Sequence, residues 1–163
     1  MPYLTRLAIG ILVLLASSSW ARAADEAFIS GCVSVRDGQG QVVYGDWVRV
    51  YLVREAIALP TIPAPDPANR MARREWINDV HMAFFIRFQE KMEKADYLVD
   101  FKLTQTDGTF AFNPVPPGTY QVLVTHPTII NLQKCAWQVP VKVAAGERRM
   151  VELNADNQVL PGF

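Results

Sequence analysis

Over most of the chain apolar and polar side chains alternate one by one, the period of a strand with one buried face. Between Phe28 and Val35, Ile29, Val33 and Val35 share a side, and Asp37-Gly38-Gln39-Gly40 then turns the chain with residues that tolerate left-handed backbone. In the run Gln41 to Val53, Val48, Val50 and Leu52 alternate with Arg49 and Tyr51, and Gly45 interrupts the run as a bulge or short bend. Phe101 and Leu103, then Asp107-Gly108, then Phe110 and Phe112 read as a hairpin. Pro116-Pro117-Gly118 predicts a type II turn, with glycine accepting a positive φ. Tyr120, Val122 and Val124 follow in one phase, then Trp137, Val139, Val141 and Val143, and after Gly146 Val151 and Leu153. Short strands at regular spacing, each ended by Gly, Pro or Asp, predict a mainly β sandwich of about seven strands.

One segment, at about residues 55–96, changes period. Pro60, Pro63, Pro65 and Pro67 make a stiff extended connector that cannot join a sheet interior. Asp66 then reads as an N-cap with Pro67 at the first helical position. From 68 to about 95, Ile77, Val80, Phe84, Phe88, Met92 and Ala95 recur at three- and four-residue steps, the stripe of an amphipathic helix inserted between two strands. Met82 and Ile86 fall on its otherwise polar side.

The first twenty-three residues differ from both patterns. Arg6, the apolar run Leu7 to Ala16 and the closing Ala21-Arg22-Ala23 have the layout of a secretory signal peptide. A retained membrane anchor is the alternative, but the run is shorter than the roughly 20 residues a spanning helix needs. Cleavage leaves about 140 of the 163 residues, enough for one domain, residues 24–163, with its own core. Lys plus Arg and Asp plus Glu each number 16. Losing Arg6 and Arg22 leaves a slightly acidic chain without the clustered bases that hold phosphate, so no nucleic-acid partner is expected. No further run spans a membrane, and the expected location is periplasmic or secreted. In such an oxidising compartment Cys32 and Cys135 are expected to form a disulfide, two buried inert thiols being the alternative.

The runs GCVSVRDGQGQVVYGDWVRVYLV, TQTDGTFAFNPVPPGTYQVLVTHP and VPVKVAAGERRMVEL resemble a bacterial carboxypeptidase-regulatory-like domain. The resemblance covers about residues 28–54 and 97–154, and its most specific piece is the TDG-F-F-PPGTY string. It implies a transthyretin-like, Ig-like sandwich that performs no chemistry itself. In metallocarboxypeptidases such a domain follows a catalytic one, and isolated exported copies are similar to accessory, adhesive or carbohydrate-binding modules. The helical insertion departs from that pattern.

Candidate chemistry is sparse. Metal binding needs clustered ligands, yet His81 and His126 stand apart in sequence without HExxH or CxxC. His81 falls on the apolar helical stripe and is expected to pack with one ring nitrogen hydrogen-bonded, whereas His126, before Pro127 at a strand end, lies where binding residues gather. Ser30 and Ser34 lack a marked base or a G-x-S-x-G setting. The Tyr-Arg-Gly-Ser tail of transthyretin-like hydroxyisourate hydrolases has no counterpart in Val159 to Phe163. Asp37, Asp46 and Asp107 sit in turns without EF-hand spacing.

Tyr44, Trp47 and Tyr51 form a possible aromatic row that stacks sugar rings or receives a partner, unless the inserted helix covers it. The expected function is a non-catalytic module that docks a protein or scaffolds the envelope, with a carbohydrate-binding module as the alternative and a small hydrolase third. No cofactor is implied, and the possible binding surface comprises Tyr44, Trp47, Tyr51 and His126.

Overall fold

A computed structural model describes residues 26–162, so the signal-peptide reading of residues 1–23 lies outside the described residues. The strands are β1 (Ala27–Arg36), β2 (Val42–Tyr44), β3 (Arg49–Val53), β4 (Leu98–Leu103), β5 (Thr109–Val115), β6 (Gly118–Val124), β7 (Ile129–Ile130), β8 (Gln133–Lys134), β9 (Trp137–Val143) and β10 (Arg148–Leu153). One helix, α1 (Arg70–Met92), lies between β3 and β4. In the first sheet β1 pairs in parallel with β10 and antiparallel with β2 and β5. The second runs β4-β3-β6-β9, antiparallel throughout, and β7 with β8 forms a small ribbon. Ile29, Val33, Phe112 and Val151 of the first sheet meet Val50, Leu52, Tyr120, Val122 and Val141 of the second in the inter-sheet core. Trp137 is wholly buried there, and its Nε1 donates to the Asn154 carbonyl at 2.7 Å, which satisfies the one polar atom of its ring. The described residues form a mainly β sandwich with one α-helix.

The run Gln41 to Val53 divides between the sheets. Tyr44 on β2 pairs with Ser34 of β1, whereas Tyr51 on β3 pairs with Phe101 and Leu123. Gly45 to Val48 therefore carry the chain from one layer to the other. A Cβ at Gly45 would lie 2.9 Å from side-chain carbons of Ile130, Val33 and Val48, so glycine is required for the crossing. Alternation continues across such a step, which hides it from a periodicity reading. Together with the two-residue strands β7 and β8, too short to alternate, this raises the expected seven or so strands to ten among the described residues. Gly118 also differs from expectation, since the glycines with positive φ are Gly40, Gly108 and Gly146. It begins β6 and makes room for Tyr120, whose hydroxyl donates to the Pro116 carbonyl at 2.7 Å and would lie 3.0 Å from an added Cβ.

α1 begins later than the proline pattern suggests. Asn69 is its N-cap, accepting the Ala72 amide at 3.0 Å, while Asp66 closes the preceding turn by accepting the Ala68 amide at 2.9 Å. It ends at Met92 as the chain tightens through bonds from the Lys94 amide to the Lys91 carbonyl and from Tyr97 to Lys94, leaving Ala95 exposed. Phe84 and Phe88 are buried on the outer face of the second sheet against Val53 and Leu123, forming a second core with Ile57, Tyr97 and Leu160. The proline-rich connector is tied along α1: Arg87 Nη1 donates to the Ala58 and Leu59 carbonyls at 2.7 and 2.8 Å, and Trp76 Nε1 to Ile62 at 2.9 Å. Among the described residues no helix is long and apolar enough to cross a membrane.

His81 is buried under α1, with Nε2 2.9 Å from the Pro161 carbonyl. A carbonyl only accepts, so Nε2 carries the proton of the neutral ring. Burial lowers the His81 pKa below its ordinary 6.5; the Pro161 carbonyl opposes that shift, and the charges of Lys134 and His126 add to it. In the range just below 6.5 the unfolded chain binds a proton that the folded chain refuses. Stability is then full above about pH 6.5 and declines as pH falls through the folded-state value. Urea midpoints measured from pH 7.5 to 5 are expected to fall towards acid, and the slope to shrink in His81→Leu. His126→Gln serves as the control, because His126 is shifted in the same direction.

The expected Cys32–Cys135 disulfide is not formed; both cysteines are free. Cys135 is wholly buried in the inter-sheet core, where burial pushes its thiol up to about 11. Cys32 stands on the outward side of β1, its Sγ 3.6 Å from the Asp107 carbonyl. Burial and the carboxylates of Asp107 and Glu152 raise its pKa. Strand parity is the reason for the separation. The one register shift of β1 against β5 falls between Ala27 and Ile29, ahead of Cys32, so nothing turns that thiol inward.

Candidate binding cleft at the Trp47 turn

The turn between β2 and β3 sets an aromatic side chain where the backbone disfavours one. Trp47 has φ 55°, in the left-handed region that a Cβ makes costly, and it is 71% exposed. The turn is clamped from behind by Thr104, itself buried. Val48 N donates to Thr104 Oγ1 at 2.8 Å, Thr104 N donates to the Val48 carbonyl at 2.9 Å, and the Thr104 hydroxyl donates to the Gly45 carbonyl. Both flanks of Asp46-Trp47 are thereby fixed, so the strained conformation is held by the scaffold.

Beside this turn lies an open cleft of about 260 Å³ lined by Asp46, Trp47, Arg49, Tyr51, Thr125 and His126, with Leu103 and Ile129 at its apolar edge. Arg49 and Tyr51 are on the outward side of β3, while Thr125 and His126 immediately follow β6. Tyr51 is anchored by Phe88 of α1, with ring centroids 4.7 Å apart. His126 meets Phe85 edge-on at 5.6 Å. The guanidinium of Arg49 lies 5.8 Å from the Phe101 ring centroid, and its Nη1 reaches the Tyr51 hydroxyl at 3.5 Å. Burial, and to a lesser degree Lys134, lowers the His126 pKa, so at neutral pH the ring offers one donor and one acceptor. The Thr125 hydroxyl is buried without a hydrogen-bond partner.

Three of the four candidate surface residues, Trp47, Tyr51 and His126, thus line one cleft. Tyr44 is on the first sheet, 51% exposed, and borders a separate cleft of about 280 Å³ with Cys32, Arg36 and Glu152. The aromatic row is accordingly not continuous, because Tyr44 and Tyr51 belong to different sheets. Asp37 and Asp107 are used by their own turns: Asp37 Oδ1 accepts the amides of Gln39 and Gln41, and Asp107 Oδ1 accepts the amide and hydroxyl of Thr109. Among the described residues no three His, Cys, Asp or Glu side chains converge as a metal site. Arg49, Thr104 and Thr125 were not legible as site residues. Arg49 carried only the signal of a wet-face position, and the other two depend on contacts far apart in sequence.

Residues 86–154, from the end of α1 through β10, match the family model for the second beta sandwich domain of BOS complex subunit NOMO1-like proteins. No curated protein sequence matches the chain. A crystal structure from Pseudomonas aeruginosa, described as that of a candidate carbohydrate binding protein, aligns over 81% of this chain and 90% of its own at 16% identity, with a TM-score of 0.48.

Proposed function

We propose that the protein is an exported, non-catalytic binding module, periplasmic or secreted, that holds a saccharide in the Trp47 cleft. The observation that carries this reading is an exposed tryptophan fixed at positive φ beside hydroxyl-bearing and charged groups. A flat aromatic face stacks on a sugar ring at low entropy cost, and Asp46, His126 and Tyr51 suit the ring hydroxyls. The signal-like residues 1–23 support export. The TDG-F-F-PPGTY resemblance to carboxypeptidase-regulatory-like domains supports a role without chemistry. Docking a partner through the phenylalanine face of α1 is disfavoured, since that face is buried in the second core.

A glycan array followed by calorimetry tests the proposal. Trp47→Ala is expected to weaken the bound glycan about tenfold or more, the equivalent of roughly 1.4 kcal/mol, while leaving the melting temperature nearly unchanged. Binding that survives this substitution unchanged contradicts the reading. The second reading is a protein partner, favoured by Ile129 and Leu132, which are 57% and 85% exposed on the β7–β8 ribbon and the turn within it. A silent array with a stoichiometric protein complex lost in Leu132→Asp would establish it instead.

A further inference from the structure

Arg49 is an exposed cation on the wall of the cleft. Its guanidinium meets the Phe101 ring face and, at the outer limit of hydrogen bonding, the Tyr51 phenol oxygen, and it forms no ion pair with a carboxylate among the described residues. The ring of Phe101 supports the guanidinium, while most of its five N–H donors remain without a protein acceptor. Asp46 borders the same cleft on the Trp47 turn and is not paired with it. A planar cation with free forked donors matches a carboxylate in two parallel hydrogen bonds. A carboxylate carried on a ring that stacks against Trp47 would meet both features, with ring hydroxyls left for Asp46 and the Thr125–His126 side.

We propose that the cleft selects acidic saccharides, oligomers of hexuronic acid, with Trp47 stacking a ring and Arg49 holding its carboxylate. This deepens the saccharide reading above and rests on it. A carboxylate would use the forked donors that Arg49 presents at the exposed mouth of the cleft, which a neutral sugar would not engage as a charge-assisted pair. A ligand bound this way is held partly by charge and weakens with added salt.

The test is calorimetry of the folded protein with oligomers of galacturonate, mannuronate and guluronate, each set against the neutral oligosaccharide made by reducing its carboxyl groups. At least one acid oligomer is expected to bind about tenfold or more tightly than its reduced counterpart, in a salt-sensitive way. Arg49→Gln should equalise the pair and Arg49→Lys restore part of the preference, both leaving Trp47-dependent residual binding. Neutral oligomers bound as well as the acids would overturn acid selection and leave the saccharide reading intact. No binding of any of these oligomers, while another glycan binds on the array, would overturn acid selection alone, and a silent array as well would overturn both.

Discussion

Phe88→Ala is expected to destabilise the protein by about 3–5 kcal/mol, the cost of emptying a fully buried aromatic site. The ring fills the space between α1 and the outer face of the second sheet, in contact with Tyr51 at 4.7 Å and Tyr97 at 6.4 Å. Its loss removes the main anchor of the inserted helix, whereas the inter-sheet core beneath keeps all its members. Urea denaturation followed by near-ultraviolet circular dichroism should show the lower midpoint. Ile86→Ala, on the exposed face of the same helix, should change stability by no more than about 0.5 kcal/mol. Equal effects from the two substitutions would mean that α1 does not pack on this sheet through the Phe88 face.

Thr104→Val keeps the shape of a buried side chain and removes the hydroxyl that joins both flanks of the Trp47 turn. The Val48 amide and the Gly45 carbonyl lose their partner, and two such groups left unsatisfied cost about 2–4 kcal/mol. The second consequence is functional, although Thr104 lies behind the turn and does not line the cleft. The backbone bond from Thr104 N to the Val48 carbonyl remains, but the hydroxyl link between Gly45 and Val48 across the turn is gone, so Trp47 is held less firmly at φ 55° and ligand affinity should fall along with stability. Thr104→Ser, which retains the hydroxyl, should restore most of both. Chemical denaturation and calorimetry of the two variants check this pair of effects. Full ligand affinity in a destabilised Thr104→Val would show that the turn needs no clamp.

Alternation made the sandwich legible because a half-buried strand fixes the parity of each side chain, as in Val48, Val50 and Leu52. The helix was equally plain from the spacing of Ile77, Val80, Phe84 and Phe88. What parity does not record is which sheet a strand joins. Tyr44 and Tyr51 therefore read as one row, although Gly45 sends the chain across the sandwich between them. The cysteines show the converse: Cys32 falls in the phase opposite to Ile29 and Val33, whereas Cys135 shares the phase of Trp137, and the expectation of an oxidised pair from compartment gives way to that parity. In the cleft, the aromatic and histidine members were visible as residue types at strand ends. Thr104 was not, because its role exists only when β3 and β4 bring positions 45, 48 and 104 together.

The most direct measurement is a two-dimensional NMR titration of the folded protein with the saccharide that the array selects. The indole Nε1–H of Trp47 and the backbone amides of Arg49, Tyr51 and His126 should shift together and saturate at one ligand. Shifts confined to Met82 and Ile86 on α1, or to Tyr44 and Cys32 on the first sheet, would contradict the Trp47 cleft as the binding surface.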